Sequence, residues 1–413
     1  MKLFRLFEMK KALAFPVKLL KNRLYISSHF HVVFNDLFKY KSHSKVDENI
    51  KHLQCAMDWL KYVHEINQDG GVSIGYSFSR GWRPSYPETT GYIIPTMFDY
   101  YHLTGDNEYK QRAIKMANWE ISVQMKSGAV QSGHLGVLPK KPAVFNTGQV
   151  LFGLVTTYKE TKKDKYKKAA EKAANWLVES QDGDGTWRAG LSTLASNPVH
   201  TYNTRTAWGL LQVHNIASQE NYLIAAEKNI DWALTQQLNN GWFKNNAFNI
   251  NEDPLLHTIA YAIRGVLECG IYLDNKTYID AAKKSADVLL KLQQKDGSLF
   301  GEYDFKWKNT VNYSCLTGDA QVSIIWLRLF EMTQDKKYLS AAKKMNYYLK
   351  TTQDLNSNNK SIRGGIKGSQ PIYGGYMSFT YPNWAAKFFV DALLLEDKIE
   401  KQIGKNRRIG NEN

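Results

Sequence analysis

The sequence predicts an all-α protein, an (α/α)6 toroid of six outer/inner helix hairpins. Three observations lead there: a six-fold internal repeat, an alternation of amphipathic and apolar helices, and connections that are alternately short and long. The repeat comes first, because self-similarity at a fixed period sets the architecture before any motif is read. The stretches NEYKQRAIKMANWEISVQ, DKYKKAAEKAANWLVESQ, ENYLIAAEKNIDWALTQQ, KTYIDAAKKSADVLLKLQ and KKYLSAAKKMNYYLKTTQ each carry a tyrosine near their start. These are Tyr109, Tyr166, Tyr222, Tyr278 and Tyr338, separated by 57, 56, 56 and 60 residues. CAMDWLKYVHEINQDGG is the earlier, sixth copy, with Trp59 lying 60 residues before Trp119.

Within each copy alanine and apolar residues recur at helical spacing and lysines fill the other face, the pattern of an amphipathic outer helix. Glycine turns at Gly70-Gly71, Gly128, Gly183, Gly185, Gly241 and Gly297 stop most of these helices. A more apolar helix follows each: TTGYIIPTMFDYYHL, NTGQVLFGLVTTYKE, NTRTAWGLLQVHNIA, LLHTIAYAIRGVLEC, TGDAQVSIIWLRLFE and YPNWAAKFFVDALLL. A helix apolar on most sides belongs inside. No composition break divides the chain, so a single toroid domain is expected over residues 46–400. A basic amphipathic segment, 1–45, precedes it and a polar tail, 401–413, follows.

Connections from inner to next outer helix are short, as at 104–106, 161–164 and 334–336. Those from outer to inner helix are long: about 68–87, 127–145, 181–201, 239–254, 295–316 and 354–380. In an alternating toroid all the long connections emerge at one end, where the inner helices start. Long loops in a compact domain usually carry function, and helix N-termini suit an anionic ligand. The site is therefore expected at this mouth.

Bulk composition narrows the class. The 413 residues carry a net charge of +15. Lysine runs such as Lys162-Lys163 and Lys343-Lys344 read either as solvated helix faces or as a field attracting a polyanion or an anionic membrane. No nucleic-acid motif is present. Cys55, Cys269 and Cys315 are odd in number and show no CxxC spacing. This argues against a disulfide framework or a structural zinc site and for a reducing, cytoplasmic compartment. The stretch MKLFRLFEMKKALAFPVKLLKNRLY has no apolar core long enough for a signal peptide or a spanning helix. It suits peripheral contact with the inner membrane, or a helix packed across the body.

AANWLVESQDGDGTW, residues 173–187, resembles the glutamine-tryptophan repeat of terpenoid cyclases and, more widely, toroidal carbohydrate enzymes. These include the C-terminal domain of glucuronyl C5-epimerases, unsaturated glucuronyl hydrolases and toroidal polysaccharide lyases. The resemblance covers the chain from about residue 46 and implies the toroid, not one activity. The DxDD acid of protonating terpenoid cyclases is missing, since QDGDG forms a turn. The zinc set of prenyltransferases and lanthipeptide cyclases is missing too. SYPETTGYIIPTMFDYYHLTGD resembles the tyrosine-proline-rich helix start of glucuronyl C5-epimerases through Tyr86, Pro87, Thr89 and the apolar run. In that family the acids precede the tyrosine; here Glu88 follows it. The resemblance implies a uronate-type substrate.

Six loops bring polar candidates to the mouth. Glu88, His200, Tyr202, His257 and Asp319 are the catalytic candidates. Arg80, Trp82, Arg83, Tyr86, Asn146, Asn203, Arg205, Tyr261, Gln321, Tyr381 and Trp384 are the candidates for binding substrate. His134, Glu252, Asp253, Tyr313, Arg363, Lys367, Tyr373, Tyr376 and Asn383 lie in the same loops. Trp187, Trp242 and Trp307 could join Trp82 and Trp384 in stacking on sugar faces. Each has a plainer reading: Glu88 and Asp319 suit a helix dipole, the tyrosines suit packing, and Arg80 and Arg83 suit a loop ion pair. Two mechanisms fit. One removes the C5 proton of a uronate while Arg, Asn or His neutralises its carboxylate, giving an epimerase or a lyase. The other is inverting hydrolysis with Glu88 and Asp319 as the carboxylate pair. Neither requires a metal or cofactor. A non-catalytic glycan-binding scaffold is the third possibility. An acidic oligo- or polysaccharide is the expected partner, in a setting such as capsule or O-antigen assembly.

Overall fold

A computed structural model describes residues 20–39, 46–193 and 195–411. Helix α1 (Ser27–Phe34) and a π-helical turn (Asn35–Lys39) precede the repeats. The outer helices are α2 (Asn49–Glu65), α4 (Asn107–Val123), α6 (Asp164–Glu179), α8 (Glu220–Thr235), α10 (Lys276–Leu292) and α12 (Lys336–Thr352). The inner helices are α3 (Pro87–Thr104), α5 (Val144–Thr161), α7 (Thr204–Ala217), α9 (Leu256–Tyr272), α11 (Leu316–Thr333) and α13 (Asn383–Asn411). Each inner helix packs on the next, and α13 closes the ring by packing on both α11 and α3. The tail expected over 401–413 is helix as far as Asn411.

The repeated residues are staples between neighbouring hairpins. The hydroxyls of Tyr109, Tyr166, Tyr222, Tyr278 and Tyr338 donate to Asp58, Asn118, Asn175, Asp231 and Asp287 of the preceding outer helix, at 2.5–3.4 Å. The glutamine ending each outer helix reaches forward. Gln124, Gln181, Gln237 and Gln293 donate to Ala169, Ala225, Ala281 and Ala341 carbonyls at 2.8–3.0 Å. Gln353 donates to the His52 carbonyl at 3.2 Å, joining the last repeat to the first. Glycine is required beside this staple: Gly128 has φ +101, and a Cβ there would lie 2.2 Å from the Lys172 carbonyl oxygen. The inner ring is equally tight, because a Cβ on Gly153 would lie 2.3 Å from the Gly91 oxygen.

Short strands organise the mouth. β1 (Gly75–Ser77) pairs antiparallel with β2 (Gly81–Trp82), and β3 (Ser314–Cys315) pairs with β4 (Ser369–Gln370). β5 (Thr380–Pro382) joins β1 with Tyr76 opposite Tyr381, so the first and last loops share one sheet. α1 packs on this sheet. His29 stacks on Phe78 at 3.9 Å and pairs with the Tyr76 hydroxyl at 2.9 Å. Asp36 holds Lys367 at 2.6 Å. Of the two expectations for the N-terminal segment, packing across the body is seen for these residues; residues 1–19 and 40–45 lie outside the described residues.

Candidate functional site

Helix α3 begins at Pro87 with Tyr86 at its N-cap position, and no side chain caps it. The adjoining loop is held by threonine: Thr90 Oγ1 accepts from Val72 N at 2.9 Å and donates to the Tyr86 carbonyl at 2.9 Å. Asn383 Nδ2 donates to Thr89 at 2.8 Å. Glu88 is left out of these bonds, and its carboxylate instead accepts the Tyr86 hydroxyl at 2.5 Å. Burial pushes Glu88 up to about 7, against the opposing pull of the Tyr86 hydrogen bond and the Arg205 charge. The Tyr86 phenol is raised well above its ordinary value by burial and then by Glu88.

Arg205 stands in the first turn of α7 and is 2% exposed. Its Nε donates to Gln149 Oε1 at 2.6 Å, while Nη1 has no partner. Five rings surround the guanidinium carbon: Tyr261 at 5.0 Å, Phe152 at 5.1 Å, Trp208 at 5.3 Å, Phe388 at 5.4 Å and Tyr92 at 6.0 Å. Ring faces hold a cation without neutralising it. Arg205 makes no ion pair among the described residues, and burial followed by the Arg264 charge lowers it to about 10. A buried, uncompensated guanidinium suits a carboxylate, which it can grip through forked hydrogen bonds.

Around this pair the inner-helix starts converge. His257 Nδ1 accepts from Gln321 Nε2 at 2.7 Å, which leaves the ring proton on Nε2. Burial and then Arg205 lower His257 to about 3, so it is neutral at ordinary pH. Its ring lies 4.3 Å from Tyr261 and 5.6 Å from Tyr376. Tyr202, in a 3-10 turn (Thr201–Asn203), feels the Glu88 charge and stacks on His200 at 4.4 Å. Burial lowers His200 to about 4, and the Ala247 carbonyl opposes the shift without completing a hydrogen bond. Asn146 donates to the Gln131 carbonyl at 3.0 Å and lies beside Tyr86. Gln149 Nε2, Asn203 Oδ1 and Gln321 Oε1 are buried without partners. Buried polar atoms are almost always bonded, so this concentration at one mouth marks a place for a polar ligand.

A cavity of about 930 Å3 reaches the cluster at Tyr86 and is lined also by Arg80, Arg83, His134, Tyr373 and Trp384. Lys21, Asn22, Leu24, Val33 and Leu37 of the N-terminal segment complete its wall. Tyr86 belongs to both cavity and cluster. Trp384 Nε1 donates to the Tyr376 hydroxyl at 2.7 Å, joining the wall to His257. Arg80 and Arg83 make no ion pair among the described residues. Burial, and then the Arg80 charge, lower Arg83.

Several expected members stand elsewhere. Asp319 is fully buried, and its Oδ1 accepts from Leu299 N at 3.1 Å, the loop-holding job of Thr90 and of Thr147, which accepts from Val130 N. Burial raises it well above the carboxylate range, with Asp296 adding to the shift; it does not pair with Glu88. Trp82 packs among Trp59, Tyr62 and Tyr76. Trp187 is buried and donates to the Leu177 carbonyl, and Trp242 packs on Trp307 at 4.9 Å. Trp187, Trp242 and Trp307 are buried packing residues, and Trp82 is half-buried. Tyr381 is buried against Phe78 in the sheet, and Asn383 is spent on Ser73 and Thr89. Lys367 pairs with Asp36, Tyr313 bonds Glu302, and Glu252, Asp253 and Arg363 are exposed.

The sequence reading missed Tyr92, Gln149 and Lys387. The signal was one of register: each inner helix carries a large side chain straight after a small residue. The six are Tyr92, Gln149, Trp208, Tyr261, Gln321 and Lys387, following Gly91, Gly148, Ala207, Ala260, Ala320 and Ala386. Lys387 lies 5.5 Å over the Tyr92 ring and pairs with Asp391, which also takes Thr96 Oγ1 at 2.7 Å. No group of three or more His, Cys, Asp or Glu side chains among the described residues is placed to hold a metal ion.

Residues 132–320 match the family model described as the ulvan lyase N-terminal domain. Among solved structures, the fold is similar to an unsaturated glucuronyl hydrolase specific for heparin, with a TM-score of 0.70 at 16% identity over 86% of this chain and 98% of that one. It is also similar to a D-mannose isomerase, with a TM-score of 0.67 at 12% identity over 85% and 97%. A sugar epimerase from a ruminal bacterium gives a TM-score of 0.67 at 12% identity over 84% and 97%. At these identities the structural likeness is one of fold. No curated protein matches the sequence. The resemblance drawn from the repeats, to toroidal carbohydrate-active enzymes, is thus met again in independent comparisons.

Proposed function

We propose that this protein is a carbohydrate-active enzyme that acts on an acidic, uronate-containing glycan by abstracting the proton at C5. The observation that carries this reading is the Glu88–Tyr86 pair set beside Arg205, a buried cation without a counter-ion. A proton next to a carboxylate becomes acidic once the carboxylate's charge is offset, and Arg205 supplies that offset. A base is most effective with a pKa near the working pH, and Glu88 sits at about 7. In this scheme the C5–H bond breaks, the proton passes to the Glu88–Tyr86 pair, and the electrons move into the uronate carboxylate. The intermediate then either expels the C4 oxygen, which takes a proton as it leaves, or regains a proton on the opposite face. Tyr202 and Tyr261, both within reach of the Glu88 charge, are the groups for that second proton.

The match of residues 132–320 to a lyase domain supports this chemistry, and the glucuronyl hydrolase and sugar epimerase among the structural neighbours support the substrate class. Inverting hydrolysis is the weaker reading, because Asp319 holds the Leu299 amide through Oδ1, leaving only its buried Oδ2 without a partner, and the next carboxylate toward Arg205, Asp391, pairs with Lys387 and Thr96. Incubation with a panel of uronate glycans tests the proposal. An ultraviolet-absorbing unsaturated product, or C5 inversion in an intact chain, is expected. New reducing ends with neither change would overturn it.

A further inference from the structure

The inner face of the N-terminal segment is fully used, by His29 on Phe78, by Val32, and by Asp36 on Lys367. Its outer face is not. Phe30, Phe34 and Phe38 stand one helical turn apart, with ring centroids at 6.0 and 4.9 Å, and Phe30 and Phe38 are 54% and 71% exposed. Tyr25 beside them is 73% exposed. An exposed aromatic stripe of this kind marks an interaction surface. Its charge setting identifies the occupant. Residues 1–23 carry seven Lys or Arg and one acid, Glu8, and Lys21 and Arg23 are exposed beside the stripe. The remainder of the chain is also net positive, so neither the body nor a second copy complements this charge. An anionic bilayer does, and aromatic rings flanked by basic residues are what an interfacial helix presents to it. Among the described residues no helix is long and apolar enough to cross a membrane.

We infer that α1, with the exposed Lys21 and Arg23, docks this protein on an anionic membrane surface, with Phe30, Phe34 and Phe38 as the inserted side chains. Val33 and Leu37 of the same segment line the cavity, so docking sets the cavity entrance beside the bilayer. The inference stands independently of the reaction at Glu88. It is tested by sedimenting the full chain with vesicles of equimolar phosphatidylglycerol and phosphatidylcholine, and with phosphatidylcholine alone. Binding only to the anionic vesicles, weakened by salt, is expected. The triple variant Phe30→Ser, Phe34→Ser, Phe38→Ser should lower vesicle affinity by about tenfold or more with an unchanged melting curve. Phe38→Asp alone, at the most exposed of the three positions, should weaken binding in the same direction and serves if the triple variant misfolds. The inference is overturned if the wild-type chain stays in the supernatant or if Phe38→Asp binds as the wild type does. A dimer in solution that Phe38→Asp dissociates would also overturn it, because a second copy would then be the occupant.

Discussion

In the outer ring the same contact recurs from hairpin to hairpin: a tyrosine hydroxyl reaches back to an Asp or Asn, and a glutamine amide reaches forward to a carbonyl. On the inner ring, at one shared register, the six repeats present Tyr92, Gln149, Trp208, Tyr261, Gln321 and Lys387, four kinds of side chain in six places. The difference lies in the partner. An outer-ring residue always meets the next copy of its own hairpin, so one solution serves all six. An inner residue at the mouth faces the shared axis, where six different groups can surround one asymmetric ligand. Repetition in this chain therefore reports assembly, and divergence at a fixed register reports the site.

Glu88 is the most sensitive position of the inner ring. Glu88→Gln should lower turnover by about 10³-fold, the range for removing a general base. It should also stabilise the protein at high pH. Burial raises the folded-state value from 4.5 to about 7, so the stability contributed by holding that proton is complete below pH 4.5 and lost as pH rises to 7. The glutamine has no such loss, and its melting temperature should exceed the wild type at pH 8 and match it near pH 4, the gap amounting to at most about 3 kcal/mol. For the wild type, kcat/KM should climb with pH through about 7. In the packed wall between α3 and α5, Gly153→Val should cost about 3 kcal/mol in denaturant unfolding, since the new Cβ meets the Gly91 oxygen.

Arg205→Lys keeps the charge but loses the fork. It should reduce kcat/KM for uronate glycans about tenfold or more, with less effect on glycans lacking the carboxylate. Tyr278→Phe removes one outer staple, the bond to Asp231, and should cost about 1 kcal/mol of stability with unchanged kinetics. Asp319→Asn keeps an acceptor for Leu299 N and should leave turnover unchanged, the smallest effect of the set. A large loss of activity there would restore the two-carboxylate reading.

The toroid was legible because its signals are periodic: the tyrosines, the terminal glutamines and the glycines recur at nearly constant spacing. Glu88, Tyr86, Arg205, His257 and Tyr261 were legible as polar residues opening apolar helices. Asp319 is hard to assign from sequence because a carboxylate and a threonine hydroxyl can hold the same loop amide, and composition does not tell them apart. Loop position alone does not tell a stacking tryptophan from a packing one: Trp82, Trp187, Trp242 and Trp307 fold inward on one another and on backbone. Tyr92, Gln149 and Lys387 were hidden inside runs read only for their overall apolar character; aligning the six inner helices by register brings them out. The contribution of α1 to the cavity wall depends on contacts such as His29 on Phe78, 49 positions apart in the chain, which no local pattern encodes.

Proton NMR of a uronate glycan incubated with the protein in deuterium oxide tests most directly whether Glu88 takes the C5 proton. Loss of the C5 proton signal, by exchange or by elimination, is expected in the wild type, and retention of the signal with Glu88→Gln. Cleavage that leaves the C5 proton in place would contradict this proton transfer.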